Sequence, residues 1–248
     1  METPFLIKAK EQLALDYNCS PECFNGGGVT VTRSAHKAGR RLFSDTPFFL
    51  NIASFGSGTV ISAAGKVMPF ALRIAEQKGS ELLSTPDISE LYGLAAKENR
   101  MVFQTIYYLP QKEILDIPQL PESDGFSVRI IEGEDIRKLY PFGFDNAFCK
   151  KEGERRDTLA AIILSPEGKI VSAAGASSDS NVFWQIGIDT LPEYRKKNLA
   201  KVLTTVLSNE IACTGRIPYY SAVPQNIPSH RTALSSGFMP AWVEYSVR

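Results

Sequence analysis

The chain has 248 residues, 44% hydrophobic and 22% charged, which is the usage of a globular protein and leaves no room for long disorder. Its 27 basic and 27 acidic side chains cancel to a formal charge of zero, which removes the electrostatic ground for a nucleic-acid or anionic-membrane partner. The four cysteines, Cys19, Cys23, Cys149 and Cys213, give neither a second Cys/His pair at metal spacing nor a disulfide framework. They read as reduced thiols of a cytoplasmic protein without a metal.

In chain order, residues 6–17 read as an amphipathic helix, with no apolar segment before them to make a signal peptide, and Ser20-Pro21-Glu22 opens a second, short helix. Gly26, Gly27 and Gly28 break the chain. Strands are expected at 29–32, 48–55 and 59–63, the last two parted by Gly56-Ser57-Gly58. The uncharged run 47–65 is interrupted by Asn51, serines and glycines, so it reads as buried strands and not as a membrane span, which needs about 20 mainly apolar residues. Gly58 to Lys66 is loosely like a phosphate loop, but Val60 and Val67 stand where glycine and Ser/Thr are required. Helices follow at 67–77, ending near Gly79, and at 86–99, then a strand at 101–109. Pro110, Pro118 and Pro121 mark 110–125 as a linker and place a domain boundary near residue 120, dividing 1–120 from 121–248.

Beyond the linker the pattern gives a strand at 128–131, short helices at 134–139 and 144–149, and strands at 158–164 and 170–176 flanking the turn Ser165 to Lys169. A strand at 183–189, a helix at 198–213, a strand at 219–223, a helix at 229–236 and a last strand at 242–247 complete an α/β layout around one mixed sheet. Leu199, Val202, Leu203, Val206, Leu207 and Ile211 recur at helical spacing, so that helix packs on the sheet and aims its N-terminus outward. Unpaired N–H groups and the positive dipole end make such a terminus an anion site, and Arg195, Lys196, Lys197 and Lys201 add charge to it. A pyrophosphate is a natural ligand.

Pro192-Glu193-Tyr194, followed by Arg195-Lys196-Lys197-Asn198-Leu199-Ala200, resembles the strand-to-helix turn of the GCN5-related N-acetyltransferase family. Asn198 stands where the family carries its central glycine; asparagine tolerates a positive φ better than other non-glycine residues. A second match follows in the right order: Asn226 and Ser229, with Gly237 and Phe238 eleven and twelve residues beyond the asparagine. The resemblance covers about residues 127–248.

The resemblance implies a central mixed sheet flanked by helices and acetyl-CoA as the acyl donor. Main-chain groups of Ile188, Asp189 and Thr190 would pair with the acetyl-pantetheine arm as an added strand does. Backbone N–H groups from Lys196 to Lys201, which include those of Asn198, Leu199 and Ala200, would hold the pyrophosphate, and Asn226 would contact the pantetheine. The activity implied is acetyl transfer to a primary amine of a small molecule or protein. It needs a base, a stabilised oxyanion and an acid for the thiolate. Many members carry a tyrosine seven residues after the asparagine as that acid, whereas this chain has Ala233.

Ser229 is a candidate acid, against the plainer reading that it caps its helix. Tyr219, Tyr220 and Ser221 are others. Glu244 is one candidate base and a water chain another; Asp189 and Glu193 lie in the motif, and His36 and His230 read as surface residues. The N-terminal half is either a degenerate copy of the same fold or an accessory domain that shapes the substrate site or makes a homodimer. The competing function is a catalytically weak acyl-CoA-binding sensor or interaction protein, favoured by Asn198 and Ala233.

Overall fold

The computed structural model of the chain describes residues 3–43, 46–78, 82–83, 85–120, 125–150 and 156–248. The expected helix end at Gly79 and Pro121 of the expected linker lie outside them. The chain divides into two compact units, one made of Met1–Tyr107, Val223–Gln225 and Pro240–Arg248, the other of Tyr108–Ala222 and Asn226–Met239. The division is not linear, because the last strand returns to the first unit.

In the first unit, α1 (Pro4–Asp16) starts at Thr3, whose hydroxyl accepts from the Leu6 N–H, with Pro4 at the position where a missing N–H costs nothing. Strands β1 (Val29–Arg33), β2 (Leu50–Ser54) and β3 (Thr59–Ala63) follow, then helices α2 (Met68–Lys78) and α3 (Thr85–Lys97) and strand β4 (Val102–Pro110). β1 runs parallel to β3, β3 antiparallel to β2, and β2 antiparallel to the end of β10 (Phe238–Val247). Strand alternation sends Leu50, Ile52, Ile61, Tyr245 and Val247 to one face, where they form a core with Ala71 and Ile74 of α2 and Leu91 and Ala95 of α3. Trp242 and Glu244 alternate to the other face.

The second unit holds β5 (Ser127–Glu132), β6 (Asp157–Leu164), β7 (Ile170–Ser178), β8 (Phe183–Thr190) and β9 (Ile217–Ala222), in the spatial order β9-β8-β7-β6-β5. The pairs β5–β6, β6–β7 and β7–β8 are antiparallel and β8–β9 is parallel, so the sheet is mixed, as expected. Helix α4 (Leu199–Cys213) supplies the crossover between the two parallel strands. It buries Leu199, Val202, Leu203, Leu207 and Ile211, the stripe read from the sequence except Val206, which is half-buried; the five contribute about 10 kcal/mol of apolar burial as an upper bound. Helix α5 (Ile227–Ser235) follows β9.

Two expectations need correction. Residues 133–142 form a 3-10 helix, in which Ile136 and Leu139 bury one side at the spacing of that tighter coil. Residues 144–149 are a turn and not a helix, closed by the Ala147 N–H on the Phe144 carbonyl. The expected linker is fastened at Leu115: the Asn209 carboxamide of α4 accepts from its N–H and donates to its carbonyl, both at 2.8 Å, as a neighbouring strand would.

Candidate active site

Strands β8 and β9 pair from Phe183↔Ile217 to Ile186↔Tyr220 and then part, while β8 stays paired with β7 through Thr190. The Asp189 carbonyl accepts from the Ser172 hydroxyl of β7 at 2.9 Å. Because successive residues of a strand present their main-chain groups to opposite edges, Ile188 and Thr190 face the side that β9 has left. The Thr190 carbonyl there accepts from the Arg195 guanidinium at 3.2 Å. Ile188 has no main-chain partner on that edge among the described residues. A short open strand edge results, of the kind an extended ligand pairs with.

The turn that follows opens α4 in an unusual way. Lys196 has φ 65° and Asn198 φ 61°, two left-handed non-glycine residues with one between them. Such backbone alternation gathers N–H groups into a concave anion-binding nest, and the strain is the sort held at ligand sites. Asn198 occupies the N-cap position, yet its side chain makes no capping bond. The main-chain N–H groups of Leu199, Ala200 and Lys201 therefore have no acceptor among the described residues. Arg195, Lys196, Lys197 and Asn198 are all exposed. The turn is braced from outside: the Lys169 ammonium pairs with Glu193 at 3.0 Å, and the Tyr194 ring meets Phe126 edge-on at 6.2 Å.

Two glycines seat the 143–150 turn on the sheet. Gly175 and Gly187 are cross-strand partners. A Cβ on Gly187 would lie 2.2 Å from the Asn146 carbonyl oxygen, and one on Gly175 2.4 Å from that of Ala147, so the backbone of the 143–150 turn lies directly on bare main chain. Two carboxylates hold it there. Asp189 accepts from the Asn146 N–H at 2.6 Å and from its side chain at 2.8 Å, and Asp157 accepts from the N–H groups of Cys149 and Lys150, both at 3.0 Å, and from the Tyr140 hydroxyl. The Tyr140 phenol is pushed up, by burial first and then by its bond to Asp157.

At the point where β8 and β9 part, four side chains meet. Tyr220 is buried, its phenol pushed up by burial and by the nearby Asp189 and Tyr108, against the opposing effect of a hydrogen bond from Ser229. The Tyr108 ring packs edge-on against Tyr220 at 6.4 Å, and its hydroxyl meets Nδ1 of His230. Asn226, not Ser229, caps α5: its side-chain oxygen accepts from the Ser229 N–H at 3.2 Å, which leaves the Ser229 hydroxyl for Tyr220. Ala233, where a family tyrosine would stand, is fully buried. Glu244 lies in the other unit, 4% exposed, accepting from Arg41 and from the Trp242 indole. Glu193 is spent on Lys169. Sequence reasoning missed Tyr108 and took His230 for a surface residue. They are 122 positions apart, and no local signal joins them.

No curated protein matches the sequence. Similar solved structures include a GCN5-related N-acetyltransferase from Kribbella flavida, 15% identical, with 63% of this chain and 62% of that one covered at a TM-score of 0.48. A GCN5-related N-acetyltransferase-like protein from Streptococcus suis is 22% identical, with 65% and 68% covered at a TM-score of 0.44. A GCN5-related N-acetyltransferase from Sphaerobacter thermophilus is 13% identical, with 64% and 56% covered at 0.46. The chain spans about three fifths of the length of the solved structures it matches. Residues 142–245, which contain the open edge, the nest and α5, match the model of the GNAT acetyltransferase family.

Proposed function

We propose that the chain transfers an acetyl group from acetyl-CoA to a primary amine of a small molecule or protein. The observation that carries this reading is the uncapped start of α4, with Lys196 and Asn198 both left-handed, beside the open edge at Ile188. The residues present fit a diphosphate followed by an extended amide-bearing arm: the N–H groups of Leu199, Ala200 and Lys201 take the first, the main chain of Ile188 the second. When bound, acetyl-CoA supplies an acyl carbon activated by its thioester. Ser229, freed from capping and beside the Tyr220 phenol, is the proton donor for the departing sulfur in this reading. The first unit is an accessory domain. Four free thiols fit a reducing, cytoplasmic setting.

Calorimetric titration with acetyl-CoA, followed by turnover on a panel of primary amines, tests the reading. No binding at all sinks it. Binding without turnover on any amine supports the second reading, an acyl-CoA-binding sensor, which the buried Ala233 in place of a tyrosine favours. Replacing Lys196 and Lys197 together by alanine is expected to weaken acetyl-CoA binding on the order of tenfold without moving the melting temperature, since both side chains are exposed. Unchanged affinity in that double variant counts against the nest as the diphosphate site.

A further inference from the structure

Acyl transfer from a thioester to an amine forms a C–N bond, breaks a C–S bond, takes one proton from nitrogen and gives one to sulfur. The second unit offers Ser229 for the sulfur, but among the described residues the carboxylates around the parting of β8 and β9 are already engaged. Asp189 is held by Asn146, Asp157 by Cys149, Lys150 and Tyr140, and Glu193 by Lys169. Glu244 belongs to the other unit and is engaged by Arg41.

We propose that Tyr108 and His230 act together as the proton acceptor for the amine in this transferase. Tyr108 is a residue of β4, outside the segment that matches the family model, so its part in the site is a property of this chain. Its ring is 3% exposed and packs edge-on against Tyr220, the last residue of β9 paired with β8. That contact fixes the phenol at the point where the two strands part. Its hydroxyl meets Nδ1 of His230, a half-buried imidazole on the first turn of α5.

A phenol is a poor base alone, and burial raises the Tyr108 phenol further. Joined to an imidazole it need never ionise. As the C–N bond forms, the proton on nitrogen passes to the Tyr108 oxygen while the Tyr108 hydrogen passes to Nδ1. The positive charge rests on the imidazolium until water removes the proton, and water returns a proton to the Ser229 oxygen. The same contact orients the ring, the usual work of a hydrogen-bonding partner on a catalytic histidine. The inference rests on the acetyltransferase reading, and the two can fail separately.

Tyr108→Phe keeps the ring that packs on Tyr220 and removes only the hydroxyl. The chain has two histidines, so long-range proton–nitrogen spectra of the full-length protein contain two imidazoles, His36 and His230, and His36→Gln assigns them. In Tyr108→Phe the Nδ1 resonance of His230 moves while that of His36 stays. On the amine that the wild type acetylates fastest, kcat falls about a hundredfold and acetyl-CoA affinity stays within about twofold. His230→Asn gives a similar loss of kcat, and adding Tyr108→Phe to it costs little more, as two members of one unit require. An unmoved Nδ1 resonance overturns the pairing. A moved resonance with wild-type kcat overturns its catalytic part and leaves the transferase reading intact. A wild-type protein that binds no acetyl-CoA, or acetylates none of the amines, overturns both.

Discussion

Arg41→Met is expected to destabilise the first unit by about 3–5 kcal/mol, the typical loss when one member of a buried ionic cluster is removed. The Arg41 guanidinium is 1% exposed and lies between two carboxylates, Asp16 at 2% and Glu244 at 5%. It also lies over the rings of Phe43, Tyr107 and Trp242, at 4.6, 5.4 and 5.7 Å. The Arg41 N–H and Gln12 side chain donate to Asp16, and the Trp242 indole donates to Glu244, so both carboxylates are held in place and cannot turn toward water. Methionine fills most of the volume but leaves two negative charges facing each other in an apolar surround. Thermal denaturation should show the first unit melting about 10 °C lower. The triple variant Asp16→Asn, Arg41→Met, Glu244→Gln should recover more than half of the loss, since it removes the charges along with their partner. A single variant as stable as wild type would mean that Arg41 is a passive filler.

That cluster shows where sequence reading stops. Lys10, Gln12 and Asp16 lie on the buried face of α1, so a helix that looks amphipathic turns polar atoms inward: Lys10 donates to Asn25 ahead of β1, Gln12 donates to the Gly39 carbonyl, and Asp16 pairs with Arg41 of the loop after β1. Asp16 and Arg41 are 25 positions apart, Arg41 and Glu244 are 203 apart, and no periodicity records such a pairing. Local signals fared better. Thr59–Ala63 is a strand over the residues anticipated, and the helix after Tyr194 starts where the basic turn ends. Asn198 does adopt the left-handed conformation that its place in the motif required, because that demand is on one residue's own backbone. The Asn226 cap is equally local, yet the plainer reading of the sequence assigns it to Ser229; the two roles separate only once Tyr220 is seen beside the serine.

Gly187→Ala is expected to cost about 2–3 kcal/mol or to lift the 143–150 turn off the sheet. The glycine is not needed for its φ, which lies outside the left-handed range; it is needed for space. A methyl group there meets the carbonyl oxygens of Asn146 and Ala147 at 2.2 and 2.8 Å, and both are backbone atoms that no side-chain rotation can move aside. Relief requires the turn to rise, which breaks the bonds from Asn146 to Asp189 and frees that carboxylate three residues from the last pair that β8 makes with β9. Faster proteolysis within the turn, together with a lower melting temperature, would register the displacement. Gly93→Ala in α3, with nothing within 4 Å of the added carbon, should be neutral or stabilising by about 0.5–1 kcal/mol and controls for helix propensity alone. If Gly187→Ala instead melts like wild type with the turn still protected, the paired glycines do not seat that segment, and the release of Asp189 loses its cause.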